Sequence, residues 1–553
     1  MSKIKIFALG GLNENGKNMY VIDVDSNIFV FDAGLKYPTT GMLGVDYIIP
    51  KFDYLIENKD NIRGLFLTHG HEGNAGAITD ILEVMPDLPV YATKFTMEII
   101  KEELNKYKIK ATNLKEIRPH SKLDVAGFSL FPIEVTHSMP EVVSYVLYTD
   151  DGAIVYATDF VFDSTMLGNY KTDIGKLAYV GKQGVLCLLA ESVYAYRPGH
   201  TSPKHRISNE VWDVLNSTDK RVIINVFPNH VYRIQEIFDQ IKRTRRKVVL
   251  MGKKLQDIVD KSLEAGYLNI DKSIIGDLSN INDKDIVVIT SDDKEKSLAS
   301  LEKIQSGYDK FIKFKEDDTV FISEPIYPGN EKKVSKIVDD LSRLGVNVVT
   351  MSFKKHVLHH ASKEDLMQML NLMNPKYYFP VKGEYRYMYM NAQVAEQIGM
   401  PKDNIILKLN GEVATFEDGK LVDNKERISI DEILIDGNTS DDIGELVLKD
   451  RELLSKNGIV IVSATIDKKT KKIIANPQIL TRGFIYVKEN LDLIEKSEEI
   501  CKEIIEDTIM MNQKIDFARI KQTIREKLGD YFRQETGTVP MIITVVLEIE
   551  SNK

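Results

Sequence analysis

The chain reads as an α/β protein in which one domain is inserted into another, and three observations lead there. Residues up to about 200 are rich in short apolar runs separated by glycine turns. From about Lys204 the texture changes to strand and helix in alternation. After Lys355 residues of the first kind return, opening with the histidine cluster His356, His359 and His360.

In chain order, Ile4 to Leu9, Met19 to Val24 and Ile28 to Phe31 have strand patterning, and Asp32-Ala33-Gly34 follows as a turn. Gly64-Leu65-Phe66-Leu67 reads as a buried strand and Ala75 to Met85 as a helix, which places Thr68-His69-Gly70-His71 on the turn between them. Ser144 to Thr149 and Ala153 to Thr158 flank Asp150-Asp151-Gly152, a hairpin signal. Val222 to Val226, Val248 to Leu250, Ile286 to Ile289, Val320 to Ile322 and Val346 to Val349 are β-branched runs spaced by helical stretches. Such a rhythm implies crossover connections and a mostly parallel sheet. The acidic stretch Asp436 to Asp442 reads as a linker or exposed turn. Beyond it, Gly458 to Ala464, a helical pattern over Leu491 to Met511, and Met541 to Ile549 predict a small α+β domain. The expected spans are 1–200 and 356–430 for the outer domain, 201–355 for the insert, 431–449 for the linker and 450–553 for the last domain.

With 553 residues the chain is long enough for several cores. Apolar runs fall short of the roughly 20 residues a membrane span needs, so no membrane partner is expected. The opening Met1 to Ile6 runs into a strand pattern without a signal-peptide profile, and a cytoplasmic location is expected. Cys187 and Cys501 have neither zinc-binding nor redox spacing and read as packing residues. A formal charge of −9 argues against coating nucleic acid with the whole surface. It leaves room for a local basic groove. The densest cluster, Lys242 to Lys247, reads first as a solvated helix end beside a strand, with phosphate contact the alternative.

Thr68-His69-Gly70-His71-Glu72-Gly73-Asn74 resembles the metallo-β-lactamase signature His-x-His-x-Asp-His with its second pair replaced. Glycine offers no ligand atom, and an Asn amide is a poor substitute for imidazole or carboxylate at a transition metal. Gly10-Gly11, Gly16 to Tyr20, Asp32-Ala33-Gly34, Thr68 to His71, His137-Ser138, Thr158-Asp159-Phe160, Pro328 to Glu331, Pro380 to Arg386 and Arg482-Gly483-Phe484 together resemble the ribonuclease J family. That resemblance implies a metallo-β-lactamase αββα sandwich, an inserted β-CASP α/β domain and a C-terminal assembly domain. The implied work is RNA decay and maturation, of messenger and ribosomal RNA, by 5′-to-3′ exonuclease and in some members endonuclease action.

By the same resemblance His69, His71, His137 and Asp159 would hold a metal. Gly73, Asn74 and Lys382 stand where a second metal's ligands belong, and a protonated lysine would repel a second cation. Lys382 is expected to pair with Asp159. Zinc is the expected ion, one at most, with an empty site as the alternative and manganese or magnesium as other candidates. Glu191 and His360 match the positions of a carboxylate and a leaving-group acid, with a structural polar pair as the plainer reading. His356, Val357, Leu358, His359 and His360 depart from the family's His-Val-Ser-Gly-His. Leu358 removes a hydroxyl, and His359 puts bulk where glycine lets backbone approach. Asn229, His230, Lys253 and Lys254 complete the expected RNA-contacting set. His120, His200 and His205 match no ligand spacing and are expected at the surface or in loops.

The leading expectation is a degenerate family member, weakly active alone. Its partners would be RNA, an active paralogue in a hetero-oligomer, and a second copy through the C-terminal domain. A single-metal ribonuclease active on its own, and a non-catalytic RNA-presenting subunit, are the alternatives.

Overall fold

The computed structural model describes residues 2–39, 41–292, 298–324, 326, 330–352, 354–422, 425–437, 444–485, 490–511 and 516–549. Pro328-Gly329 of the family series and most of the acidic stretch after Asp436 lie outside the described residues. The chain forms two compact units, Met1–Tyr37 with Ile48–Glu432, and Pro38–Tyr47 with the chain from Ile433 onward.

In the first unit two sheets pack face to face. One runs 420–422, 414–417, 3–10, 19–24, 27–31, 62–66, 90–93, 114–117, and the other 377–381, 185–191, 152–157, 143–149, 128–134, 123–125. Tyr20, Phe29, Phe31 and Phe66 from one sheet meet Tyr145 and Tyr156 from the other in a single buried cluster. Helices Lys94–Tyr107 on one side and Ile174–Gln183, Lys363–Met373 and Tyr385–Gln397 on the other complete four layers. This is the metallo-β-lactamase αββα sandwich.

The inserted segment builds a five-stranded sheet in the order 247–251, 286–290, 222–225, 319–322, 347–350, and every pair in it is parallel. Its strands alternate cleanly. Val222 and Ile224 face helices Val231–Ile241 and Lys253–Glu264, while Ile223 faces Ala299–Gln305 and Glu331–Arg343. The basic run Lys242–Lys247 follows the first of these helices. Arg243 stacks on Trp212 at 3.7 Å and Arg246 binds backbone carbonyls, so part of that charge anchors the domain.

One expected element differs. The helix predicted from Ala75 to Met85 is two short helices, Glu72–Ala75 and Ile78–Val84. Backbone groups of this segment bond across to the loop after Asn27–Phe31: Ala33 N–H donates to the Asn74 carbonyl at 2.6 Å, and Ala77 N–H to the Ala33 carbonyl at 2.8 Å. The two loops approach so closely that a Cβ on Gly34 would lie 1.7 Å from the Gly73 carbonyl oxygen, which only glycine avoids.

In the second unit, strands Ile473–Arg482, Ile459–Asp467 and Met541–Ile549 form a sheet in that order. Helices Leu491–Met511 and Phe517–Thr536 cover one face, burying Val460, Val462 and Ile466 against Cys501, Ile505, Ile524 and Phe532. Ile474, Leu480, Ile543, Val545, Leu547 and Ile549 remain exposed. No helix among the described residues is long and apolar enough to cross a membrane.

Candidate metal centre and nuclease site

The site gathers at strand ends of the sandwich. His69 follows Ile62–Phe66, His137 follows Phe128–Glu134, Asp159 follows Gly152–Ala157, Glu191 closes Val185–Glu191 and Lys382 follows Tyr377–Val381. Beneath it lies Asp32, a residue to which the sequence assigned no role. Its buried carboxylate accepts from Thr68 N–H (2.8 Å), Thr68 Oγ1 (2.8 Å), Asn74 Nδ2 (2.7 Å) and Tyr156 OH (2.7 Å). Burial still pushes the Asp32 carboxyl up to about 6.

Thr68 Oγ1 lies 2.9 Å from His69 Nδ1, and Ser138 Oγ 3.2 Å from His137 Nδ1. These contacts hold the first nitrogen of each ring. The Nε2 atoms of His69 and His137 are buried without a hydrogen-bond partner. With His71 they form a cluster whose ring centroids are 4.6 to 4.9 Å apart, each offering a ligand atom within 4.8 Å of the others. Burial is the main cause lowering all three imidazoles, His71 to about 3, so they stand neutral, as metal ligation requires. Neutral and convergent nitrogens, two of them without a hydrogen-bond partner on His69 and His137, fit one zinc-class cation.

Around Asp159 the pocket holds a cation of the chain's own. The Lys382 ammonium, 5% exposed, sits directly on Asp159 Oδ2, the pairing expected from sequence; Asp159 is 1% exposed. Burial works against the Asp159 carboxylate, yet the Lys382 charge, seconded by His360, holds it well below the usual range. Lys382 adopts a left-handed backbone (φ 53°), a conformation uncommon for a side chain of this size. Asn74 directs its NH₂ group to Asp32, and the Gly73 carbonyl accepts from both the backbone and the side chain of Asn18. These residues do not fit a second ion.

Glu191 and His360 do meet. Glu191 Oε2 lies 2.6 Å from His360 Nδ1, while Oε1 accepts from Ala361 N–H at 2.8 Å. Burial opposes a charged imidazole here, but the Glu191 carboxylate, with hydrogen bonds to Asp159 and Glu191, pushes His360 up to about 9. At neutral pH His360 therefore carries the proton that a leaving-group acid needs.

The expected RNA-contacting residues divide. Val357 and Leu358 are fully buried, and Leu358 packs with Val161 and Met166. An apolar side chain at 358 follows the core instead. Asn229 and His230 are buried too. His230 Nδ1 pairs with Glu324 at 3.0 Å, and Glu324 with Arg233 at 2.7 Å. Glu324 and Arg233 gave no signal in sequence, being about 90 positions apart. Lys253 is exposed, and Lys254 Nζ lies 3.5 Å from Glu72, beside the histidine cluster's helix cap. His356 lines a cavity of about 510 Å³ with Tyr196, Arg197, Lys204 and Lys354. His205, expected in a loop, is in one, but it is buried against Asp163 at 2.9 Å. His200 is partly exposed on Asp365, and His120 lies 3.8 Å from Glu134.

Four family models match this chain: the Ribonuclease J C-terminal domain over 446–549, the Ribonuclease J beta-CASP domain over 219–341, the Beta-lactamase superfamily domain over 29–176 and the Zn-dependent metallo-hydrolase RNA specificity domain over 346–407. The chain is 38% identical over 550 residues to Ribonuclease J2 of Bacillus subtilis (strain 168), covering 99% of each. It is 33% identical to Ribonuclease J 2 of Staphylococcus saprophyticus and of Staphylococcus aureus (strain NCTC 8325), covering 99% of this chain and 98% of each relative. A crystal structure of a protein of unknown function from Enterococcus faecalis V583 superposes with a TM-score of 0.52 at 15% identity, covering 75% of this chain and 100% of that one, and so supports the fold alone. On matches that span it end to end, the chain belongs to the ribonuclease J family of metal-dependent ribonucleases.

Proposed function

We propose that this chain is a degenerate ribonuclease J-type protein that binds at most one metal, cleaves RNA weakly by itself, and acts in messenger and ribosomal RNA decay and maturation beside an active paralogue in the cytoplasm. The observation that carries this reading is the Lys382 ammonium seated on Asp159, where the family resemblance would put a second cation. A protonated lysine offers no ligand atom, takes the carboxylate oxygen, and repels a cation beside it. His69, His71 and His137 would hold the remaining ion, zinc by donor type, and its chemistry would be charge stabilisation at the phosphoryl group. Glu191 orients His360, whose proton would go to the departing oxygen. Lys254 and the basic cavity beside His356 supply positive charge for the RNA backbone.

A single preparation decides the point. Isolated protein is expected to carry at most one equivalent of metal and to degrade 5′-monophosphorylated RNA only slowly. Two bound equivalents with rapid turnover would refute the reading. If His69→Ala abolished a substantial cleavage rate, the single-metal ribonuclease would take its place, a reading favoured by the intact pairing of Glu191 with His360.

The exposed apolar face of the C-terminal sheet supports assembly through that domain, whether with a second copy or with a paralogue. Ile543 and Leu547 point away from the helix-covered core. Ile543→Asp combined with Leu547→Asp is expected to lower the mass measured by sedimentation while leaving helix content unchanged. An unaltered mass would place the assembly surface elsewhere.

A further inference from the structure

The basic run Lys242–Lys247 lies on an edge of the insert that the nuclease site does not use. All five strands of the inserted sheet run in one direction, so their ends fall on two opposite edges. The C-terminal ends lead into the site: His230 follows Val222–Asn225, Glu324 follows Thr319–Ile322, and Lys254 follows Lys247–Met251. The N-terminal ends, a strand's length away, gather four other loops. Arg246 donates to the Thr218 and Lys220 carbonyls, Arg221 to those of Ile281 and Lys313 (2.9 and 2.7 Å), and Lys315 to that of Asn282 (2.7 Å). These bonds join the loops before four neighbouring strands into one continuous face, about 14 Å across at the usual spacing between strands.

Two features of this face call for a ligand. Arg245, Lys247, Lys310 and Lys313 are exposed and belong to no ion pair among the described residues. Of the acids on the same edge, Asp317 pairs with Lys220 at 3.8 Å, Asp219 and Asp285 act on Arg246, and Asp283 accepts from Asn280 at 3.1 Å. The second feature is aromatic. Tyr308 is 79% and Phe311 60% exposed. The turn that carries them is fixed: buried Asp309 accepts from the Phe311 and Ile312 N–H groups (2.8 and 3.2 Å), and Ile312 is packed in the core of the insert. A lone exposed apolar residue is ordinary, but two large rings interleaved with unpaired lysines on an ordered turn form a surface suited to being covered.

We propose that this edge is a second RNA-binding face, which takes single-stranded RNA with its phosphates on Arg245, Lys247, Lys310 and Lys313 and its bases stacked on Tyr308 and Phe311. The choice of partner rests on membership of a ribonuclease family and does not depend on how many metals the pocket holds. Cations alone suit any polyanion. The rings decide for RNA, because every base has an aromatic face to stack, whereas an acidic peptide would leave them in water. A strand bound there is tethered away from the pocket by contacts that carry no sequence information, which raises the local concentration of RNA for this protein or for an assembled partner.

Full-length protein in chelator is titrated with a short circular single-stranded RNA, which has no 5′ end to enter the pocket. Tyr308→Ala with Phe311→Ala is expected to weaken binding at least about 5-fold for each ring, the effect of losing one base stack. Arg245→Gln, Lys247→Gln and Lys313→Gln together should lower the slope of log affinity against log salt by about 2, as three lost phosphate contacts on a single strand require. Both variants should keep the thermal midpoint of the unmodified protein, since every position changed is exposed. RNA carrying 4-thiouridine should crosslink to the stretch Tyr308 to Lys315 of the unmodified protein, a signal that stands even if a variant does not fold. Binding and salt slope unchanged in both variants, with no crosslink to that stretch, overturn the proposal. So does an altered sedimentation mass of the aromatic variant with RNA binding intact, which would make the face a protein contact. Neither result bears on the metal count.

Discussion

Lys382→Met is expected to destabilise the metal-free protein by about 3 kcal/mol at neutral pH and to make its thermal midpoint more responsive to zinc. Removing one partner of a buried ion pair costs about 3–5 kcal/mol, because the remaining charge stays desolvated and uncompensated. The lower figure applies here: His360 Nδ1 lies 3.5 Å from Asp159 Oδ1 and keeps part of the compensation. Methionine fills the space of the lysine stem, so packing loss contributes little. The pH sign follows from Asp159. Its carboxyl is held below the value it has unfolded, so the pair stabilises fully above about pH 4 and loses that contribution only as pH falls through the folded value. The variant's deficit is thus present throughout the neutral range. On the proposed one-metal reading Asp159, freed of the ammonium, would join the ligand set, and a cation at 100 times its dissociation constant returns about 2.7 kcal/mol. Equal midpoints for variant and unmodified protein in chelator would show that the pair does not hold the pocket together.

Local patterning made much of this architecture legible in the sequence, because strand and turn signals need only neighbours. Met19–Val24, Leu491–Met511 and Met541–Ile549 appear with the boundaries their patterns suggest. Where a segment's backbone bonds to a distant loop, as Ala77 does to Ala33, periodicity over-extended the helix. The site divides along the same line. His69 and His71 announce themselves by spacing, and the charge argument at Lys382 needs only the family position and Coulomb's law. Asp32 lies in a visible Asp-Ala-Gly turn, yet the hydrogen bonds to its carboxylate come from Thr68, Asn74 and Tyr156, up to 124 positions away. His359 was legible as bulk in place of glycine. That its ring faces His71 and His137 depends on how the insert returns to the sandwich, which no local pattern encodes.

The largest expected effect is a gain of function. Gly73→Asp, Asn74→His and Lys382→His together should raise cleavage of 5′-monophosphorylated RNA at least about 100-fold over the unmodified protein, since a second cation contributes several kcal/mol of charge stabilisation at the phosphoryl group. The backbone admits the repair at 73. A Cβ there meets Gly16 Cα at 3.6 Å and an Asn18 nitrogen at 3.8 Å, ordinary contacts. At 74 an imidazole can give one ring N–H to Asp32, as the Asn amide does now, and offer its other nitrogen to the pocket. At 382 the exchange removes the ammonium that competes for Asp159. His360, protonated beside Glu191, would on the proposed reading serve the leaving oxygen. The control is His360→Gln in the repaired background, which should return most of the gain. If the repaired protein binds two metal equivalents and stays inactive, the obstacle lies at His359, and adding His359→Gly should release it. If all of these variants remain inactive with both ions bound, the missing ligands are not what holds this protein's hydrolysis down.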